Sequence, residues 1–304
     1  MSVNLMKGIL CIFRKINKYN STMKKFNLIS ALILLTGFLS AQVEYLPTKE
    51  DLGKLLKTKT YVVLEESPMS EFNFEIQEVM ARDWKLTEFE FIKNAEFEKL
   101  SSKENYSFLY TSLVSFEKDK TESRYVFIHF SLGGPNLTID DLRDMASVPL
   151  AYFGTDPENY IYKLGTIVRF IQNHINLINE KPELISKNIF KFYNDNIKDI
   201  HTKTLYLVQD ELSSSISTPA RIKAIYPYKF KIVTREEINQ AIKDRNEEVV
   251  FLHKVGPEGK RSEARCYNII IGAADANFYF FDYHMVTDKN PDGLLESDLK
   301  KLAK

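Results

Sequence analysis

Short runs of β-branched and aromatic residues in this chain alternate with stretches whose apolar positions recur every three or four residues. TYVVLEE at 60–66 has the composition of a strand, and FNFEIQEVMARDW at 72–84 sets Phe72, Ile76, Val79 and Met80 on one helical face. KLTEFEFI at 85–92 returns to strand alternation, and a short acidic helix carries Phe97 and Leu100. Two further strands, YSFLYTSLVSF and SRYVFIHFSL, are separated by the polar turn EKDKTE. SVPLAYF at 147–153 closes this succession, and Asp156 and Pro157 then mark the start of a helix over 158–179. A further helix is expected over 182–200.

The pattern then begins again. HTKTLYLVQD at 201–210 echoes KTKTYVVLEE at 57–66, and a spacing of 144 sets Thr58, Lys59 and Thr60 on Thr202, Lys203 and Thr204. FEFIKNAEFEKL at 89–100 lies over FKIVTREEINQA at 230–241, and SFLY at 107 over VFLH at 250. SRYVFIHF at 123 falls on ARCYNIII at 264, which places His129 on Ile270. Four segments in one order, at spacings of 141 to 144, indicate an internal duplication. The second copy reads as VVFLHKV, the turn GPEGK, ARCYNIIIGA, the strand NFYFFDYHMV and a short helix in LLESDLKKLAK. The expected architecture is α/β, with α+β as its variant. Two tandem duplicated modules at 42–180 and 201–304, each a mixed sheet with helices, are joined by a helical linker at 181–200.

The N-terminus changes the picture of where the chain works. From Met23 the sequence runs through a dibasic start, an apolar run over 26–39 and small residues at Ser40 and Ala41, the pattern of a secretory signal peptide over 23–41. The apolar run is short for a membrane span. Residues 1–22 read as an over-extended start. A periplasmic or secreted location is expected, with membrane contact only through the signal segment before cleavage. The whole chain of 304 residues has 41 basic and 41 acidic side chains, and cleavage after Ala41 leaves 35 against 41, a net charge near −6. That balance argues against nucleic acid, whose binding needs a clustered basic footprint. Cys266 would then be the sole thiol, in an apolar strand pattern that suits a buried, inert group.

Candidate chemistry is sparse. KVGPEGKRS at 254–262 lacks the spacing of a phosphate loop and joins two strands, so a hairpin turn is expected. His129, His253 and His284 fall on strands, and Asp282 shares a strand face with His284, a pair that would need further ligands to hold a metal. The acids Glu65 and Glu66, with Gln209 and Asp210 as counterparts, read as solvated strand ends, and Trp84 as packing in the core. NFYFFDYHM at 277–285 is aromatic on both faces, so both must be covered, by a helix of the chain such as LLESDLKKLAK or by a partner. No catalytic, cofactor-binding or metal-binding residue is assigned, and no cofactor is expected.

KFKIVTREEINQAI at 229–242 resembles the second strand and helix of the small α/β N-terminal domain of TolB and related curli-secretion-like envelope proteins. The resemblance covers about thirty residues per copy, and no β-propeller repeats follow the module as they do in TolB. It implies envelope scaffolding and protein contact without chemistry. The expected function is therefore an exported envelope binding or scaffold protein that contacts another protein. The alternative is an enzyme or small-ligand-binding protein with its site in the cleft between modules.

Overall fold

The computed structural model describes residues 46–304, apart from 117, 118, 120, 121, 187 and 260–262. The expected start at 1–22, the signal segment at 23–41 and Cys11 lie outside the described residues.

Ten strands form two five-stranded sheets. The first contains β1 (Lys59–Val63), β2 (Phe89–Ile92), β3 (Tyr106–Val114), β4 (Tyr125–Leu132) and β5 (Arg143–Tyr152) in the order β2-β1-β3-β4-β5. The second contains β6 (Thr204–Val208), β7 (Phe230–Val233), β8 (Val249–Val255), β9 (Arg265–Gly272) and β10 (Phe278–Met285) in the order β10-β9-β8-β6-β7. In each sheet the first three strands are parallel and the last two antiparallel. The two halves therefore share one topology, as the internal repeat implies.

Strand pairing corrects two of the repeat alignments by one residue. Thr60 lies opposite Phe89 while Leu205 lies opposite Phe230, so β1 matches β6 at a spacing of 145. Both strands then show the same succession of half-buried and buried positions. His129 pairs with Tyr110 and Ile269 with His253, so Ile269, not Ile270, is the equivalent of His129. Side chains alternate across a sheet, so the shared Thr-Lys-Thr letters would have put buried Thr60 on a half-buried position.

Eight α-helices are named in chain order: α1 (Lys49–Leu55), α2 (Glu71–Asp83), α3 (Asn94–Leu100), α4 (Leu164–Glu180), α5 (Ile189–Asn194), α6 (Pro219–Ile225), α7 (Arg235–Lys243) and α8 (Glu296–Leu302). The expected helix over 158–179 begins later, because Pro157 opens a 3-10 turn and a second turn, Ile161–Lys163, precedes α4. Asp156 makes no side-chain cap there. The linker is likewise broken into 3-10 turns around α5.

Both sheets belong to one compact unit, Leu46–Lys304. Helix α4 ties them together. Its Arg169 donates to the carbonyls of Ala273 and Ala274, and its Phe170 stacks on Phe278 at 3.4 Å. Arg245 of the second half reaches Asp83 of the first at 2.5 Å, and the Tyr125 hydroxyl accepts from the Arg265 amide. Trp84 is buried edge-on against Phe130, as expected of a core residue.

The aromatic strand β10 is covered on both sides by its own chain from Phe278 to Phe281, while Tyr283 near its end is exposed. Phe280 and Tyr279 join Leu299 and Leu302 of α8 in one core cluster, while Phe278 packs on α4 and Phe281 stacks on Phe190 of α5 at 3.9 Å. Asn194 also closes the open edge of β10, its side-chain amide accepting from the Phe281 N–H and donating to the Phe281 carbonyl. A paired edge of this kind resists strand addition by another chain.

Candidate ligand-binding cleft

The topology of the second sheet makes a crevice before any side chain is considered. From β6 the chain moves outward to β7, then crosses back to β8 on the other side of β6. Right-handed crossovers in opposite directions put their helices on opposite faces. Accordingly α6 lies in the core cluster with α8, whereas α7 packs toward the turn Ile161–Lys163. The loops leaving β6 and β7 part, and the gap between such loops, at the carboxyl ends of parallel strands, is where open α/β sheets bind ligands.

A cleft of about 410 Å³ occupies this place. The second half supplies Asp210 and Glu211 after β6, Arg235 after β7, Lys254, Val255, Gly256, Glu258 and Gly259 from the end of β8 and its hairpin, and Asp292. The first half supplies Leu150 to Tyr152 from β5, with Thr155, Asn159 and Tyr160. The two sheets meet beside it, where His253 Nε2 donates to the Pro149 carbonyl at 2.9 Å.

Three ion pairs order the walls. Lys163 Nζ meets Glu211 Oε1 at 3.0 Å, both side chains being buried. Burial opposes the Lys163 charge, but Glu211 and then Tyr162 outweigh it and hold the ammonium above its ordinary value. Lys254 meets Asp292 Oδ2 at 2.6 Å, and there too the carboxylate outweighs burial. Asp292 Oδ2 also accepts from the Gly259 amide at 3.1 Å. Arg235 reaches Asp210 at 2.8 Å on the open side. Burial, followed by Glu65, Glu71 and Asp156, pushes the Tyr160 hydroxyl up to about 12, so it stays protonated and can donate.

Three polar atoms in these walls are left over. Glu211 Oε2 and Asp292 Oδ1, both acceptors, and Arg235 Nε, a donor, are buried and have no hydrogen-bond partner within the protein. Such atoms carry a desolvation cost of about 1 to 3 kcal/mol each unless something else meets them.

The residues weighed from sequence fall in several places. Gly256 and Gly259 belong to the β8–β9 hairpin, as expected, and that turn lines the cleft. Gly256 is required there, since a Cβ would stand 3.0 Å from Cys266 Sγ and against Asp292. Cys266 is fully buried, and burial followed by Asp292 pushes its thiol well above the ordinary value. His253 is buried with its pKa lowered to about 3 by burial and then by Lys163, so it is a neutral hydrogen-bond donor. Asp282 and His284 do not act together. Lys301 takes Asp282 at 2.6 Å, and His284 donates to the Pro291 carbonyl. Of the strand-end acids, Glu65 is engaged by the Ser70 hydroxyl and its amide donates to Asn73. Asp210 alone of these acids lines the cleft, and it is paired instead of simply solvated.

Lys163, Glu211, Arg235, Lys254 and Asp292 were not singled out from the sequence. They are far apart along the chain, and only the divergence of two crossovers at β6 brings them together. No family model, curated protein or solved structure matches this chain. Among the described residues, no helix is long and apolar enough to cross a membrane, and no three His, Cys, Asp or Glu side chains group as metal ligands.

Proposed function

We propose that this chain is an exported envelope protein that binds a compact, neutral, hydroxyl-rich molecule of sugar-like size in the cleft between its two sheets. The observation that carries the reading is the set of three orphaned atoms, Glu211 Oε2, Asp292 Oδ1 and Arg235 Nε, in walls whose buried charges already have partners. A ligand there needs no compensating charge. It needs to donate to a carboxylate oxygen and accept from a guanidinium N–H, and a hydroxyl does both. Tyr152 and Tyr160 add apolar surface with polar tips, the mixture typical of small-molecule sites. The expectation of a protein partner drew on the family resemblance and on β10, where the chain itself packs against the aromatic residues from Phe278 to Phe281.

Calorimetry and thermal shift with neutral mono- and disaccharides, amino acids and nucleotides test the reading. Saturable binding is expected from the neutral hydroxylated set, and Arg235→Lys, which removes Nε at a partly exposed side chain, should weaken it at least tenfold. Binding that is confined to charged ligands, or unaltered in Arg235→Lys, would refute it.

A further inference from the structure

A second constellation lies on the first sheet, away from the residues of the cleft. Three neighbouring strands place Ser112 on β3, His129 on β4 and Asp144 on β5. Ser112 Oγ stands 2.9 Å from His129 Nε2, and His129 Nδ1 stands 2.8 Å from Asp144 Oδ2. The carboxylate beside Nδ1 selects the tautomer with hydrogen on Nδ1, which leaves the Nε2 lone pair to accept the Ser112 proton. Ser131 donates to the other Asp144 oxygen, and the Ser147 hydroxyl lies 3.1 Å from Nδ1. Tyr110 stacks on the imidazole at 5.0 Å and 18°, which fixes the ring plane. His129 is buried, whereas Ser112 is half-buried on the part of β3 beyond its pairing with β1. The nucleophile is thus open to solvent while its base is held from behind.

The repeat supplies an internal control. Strand pairing equates Ser112 with Val255, His129 with Ile269 and Ser147 with Phe281. The same sheet in the second half is built with apolar groups at all three positions, so the fold does not require the polar set.

We propose that Ser112 is a nucleophile for acyl transfer from carboxylic esters, with His129 as its general base and Asp144 as a positioning residue. Ser112 Oγ adds to the ester carbonyl carbon as its proton passes to His129 Nε2. The bond from that carbon to the alkoxy oxygen breaks, and the leaving alcohol takes the proton back from Nε2. Water, deprotonated by the same nitrogen, then adds to the Ser112 ester carbonyl, and as the bond from that carbon to Ser112 Oγ breaks, Nε2 returns the proton to Oγ, so ester and water give acid and alcohol with no redox partner. Tyr110 and Phe127 beside the imidazole favour a short apolar acyl group.

The full chain should be treated with a fluorophosphonate and with p-nitrophenyl acetate, and the modified serine located by peptide mass spectrometry. Labelling at Ser112 is expected to outpace that at exposed Ser102 by at least about 100-fold, the contribution of one general base. It should vanish in Ser112→Ala and fall by a similar factor in His129→Gln, with folding checked by circular dichroism. Asp144→Asn, at a one-third exposed side chain, should slow labelling and displace its pH profile, and a merely structural aspartate would not move that profile. Wild-type Ser112 reacting no faster than Ser102 overturns the proposal whether or not the variants fold. So does a rate in folded His129→Gln equal to wild type.

Discussion

Replacing Lys163 by Met removes the cation from a buried pair and leaves Glu211 behind. The Glu211 side chain is 8% exposed, Oε2 has no partner, and Oε1 loses the only one recorded for it. Breaking a buried pair from one side costs about 3 to 5 kcal/mol, because the surviving charge stays desolvated. For a folded unit of this size that corresponds to a melting temperature lower by roughly 6 to 20 °C. The companion variant Lys163→Met with Glu211→Leu removes both charges at similar volume and should return to within about 1 kcal/mol of wild type or exceed it. Urea unfolding followed by fluorescence of the lone Trp84, which is buried against Phe130, measures all three chains. A single variant that loses under about 1 kcal/mol, or a double variant as unstable as the single, would show that Lys163 and Glu211 are not an isolated desolvated pair.

Two further outcomes are expected. Phe280→Ala should lower stability by about 3 to 5 kcal/mol, whereas Phe281→Ala, half-buried against Phe190, should cost roughly half as much or less, and parallel denaturant titrations compare them. His253 has its folded pKa lowered to about 3 against an ordinary 6.5, so the unfolded chain takes up its proton first as pH falls. Its contribution is fully present above pH 6.5 and is lost between there and about pH 3, on the order of a few kcal/mol. The acid limb of a melting-temperature profile should therefore flatten in His253→Gln, and an unchanged limb would contradict the assignment.

The sheets were legible because strand composition and alternation are local properties. β7 and β8 match the segments read from sequence, β2 occupies the second half of its own, 85–92, and the duplicated order of strands appears in both sheets. Register was less so. Letter identity at Thr-Lys-Thr outweighed the burial period, and only pairing with β2 and β7 set the spacing at 145. Short helices were missed where one turn of apolar spacing is all they have. Yet α6 carries a readable start in Thr218 and Pro219, and α1 has one in the capping box of Thr48 and Asp51. The cleft was foreseen as a place between modules, but not its residues. Ser112 and Asp144 were equally hidden, since their meeting with His129 depends on diagonal neighbours across three strands, and the pairing of β4 with β5 is irregular.

One position shows how the same fold has been put to two uses. The segment after the first strand of each half lies at the divergence of two crossovers, so geometry offers both halves a crevice there. In the first half that opening is closed by its own helix start. The Ser70 hydroxyl donates to Glu65, while Asn73 accepts from the Glu65 amide and donates to the carbonyls of Glu65 and Ser67. In the second half no long helix follows at once. The chain makes two 3-10 turns, Gln209–Glu211 and Ser214–Ile216, before α6, and this delay turns Glu211 inward to Lys163 while Asp210 reaches Arg235. Asn73 satisfies the loop polar groups that would otherwise line a crevice, and the second half leaves Glu211 Oε2, Asp292 Oδ1 and Arg235 Nε unmatched. The duplicated scaffold thus ties one copy of this segment to its own helix start and leaves unmatched hydrogen-bonding atoms beside the other.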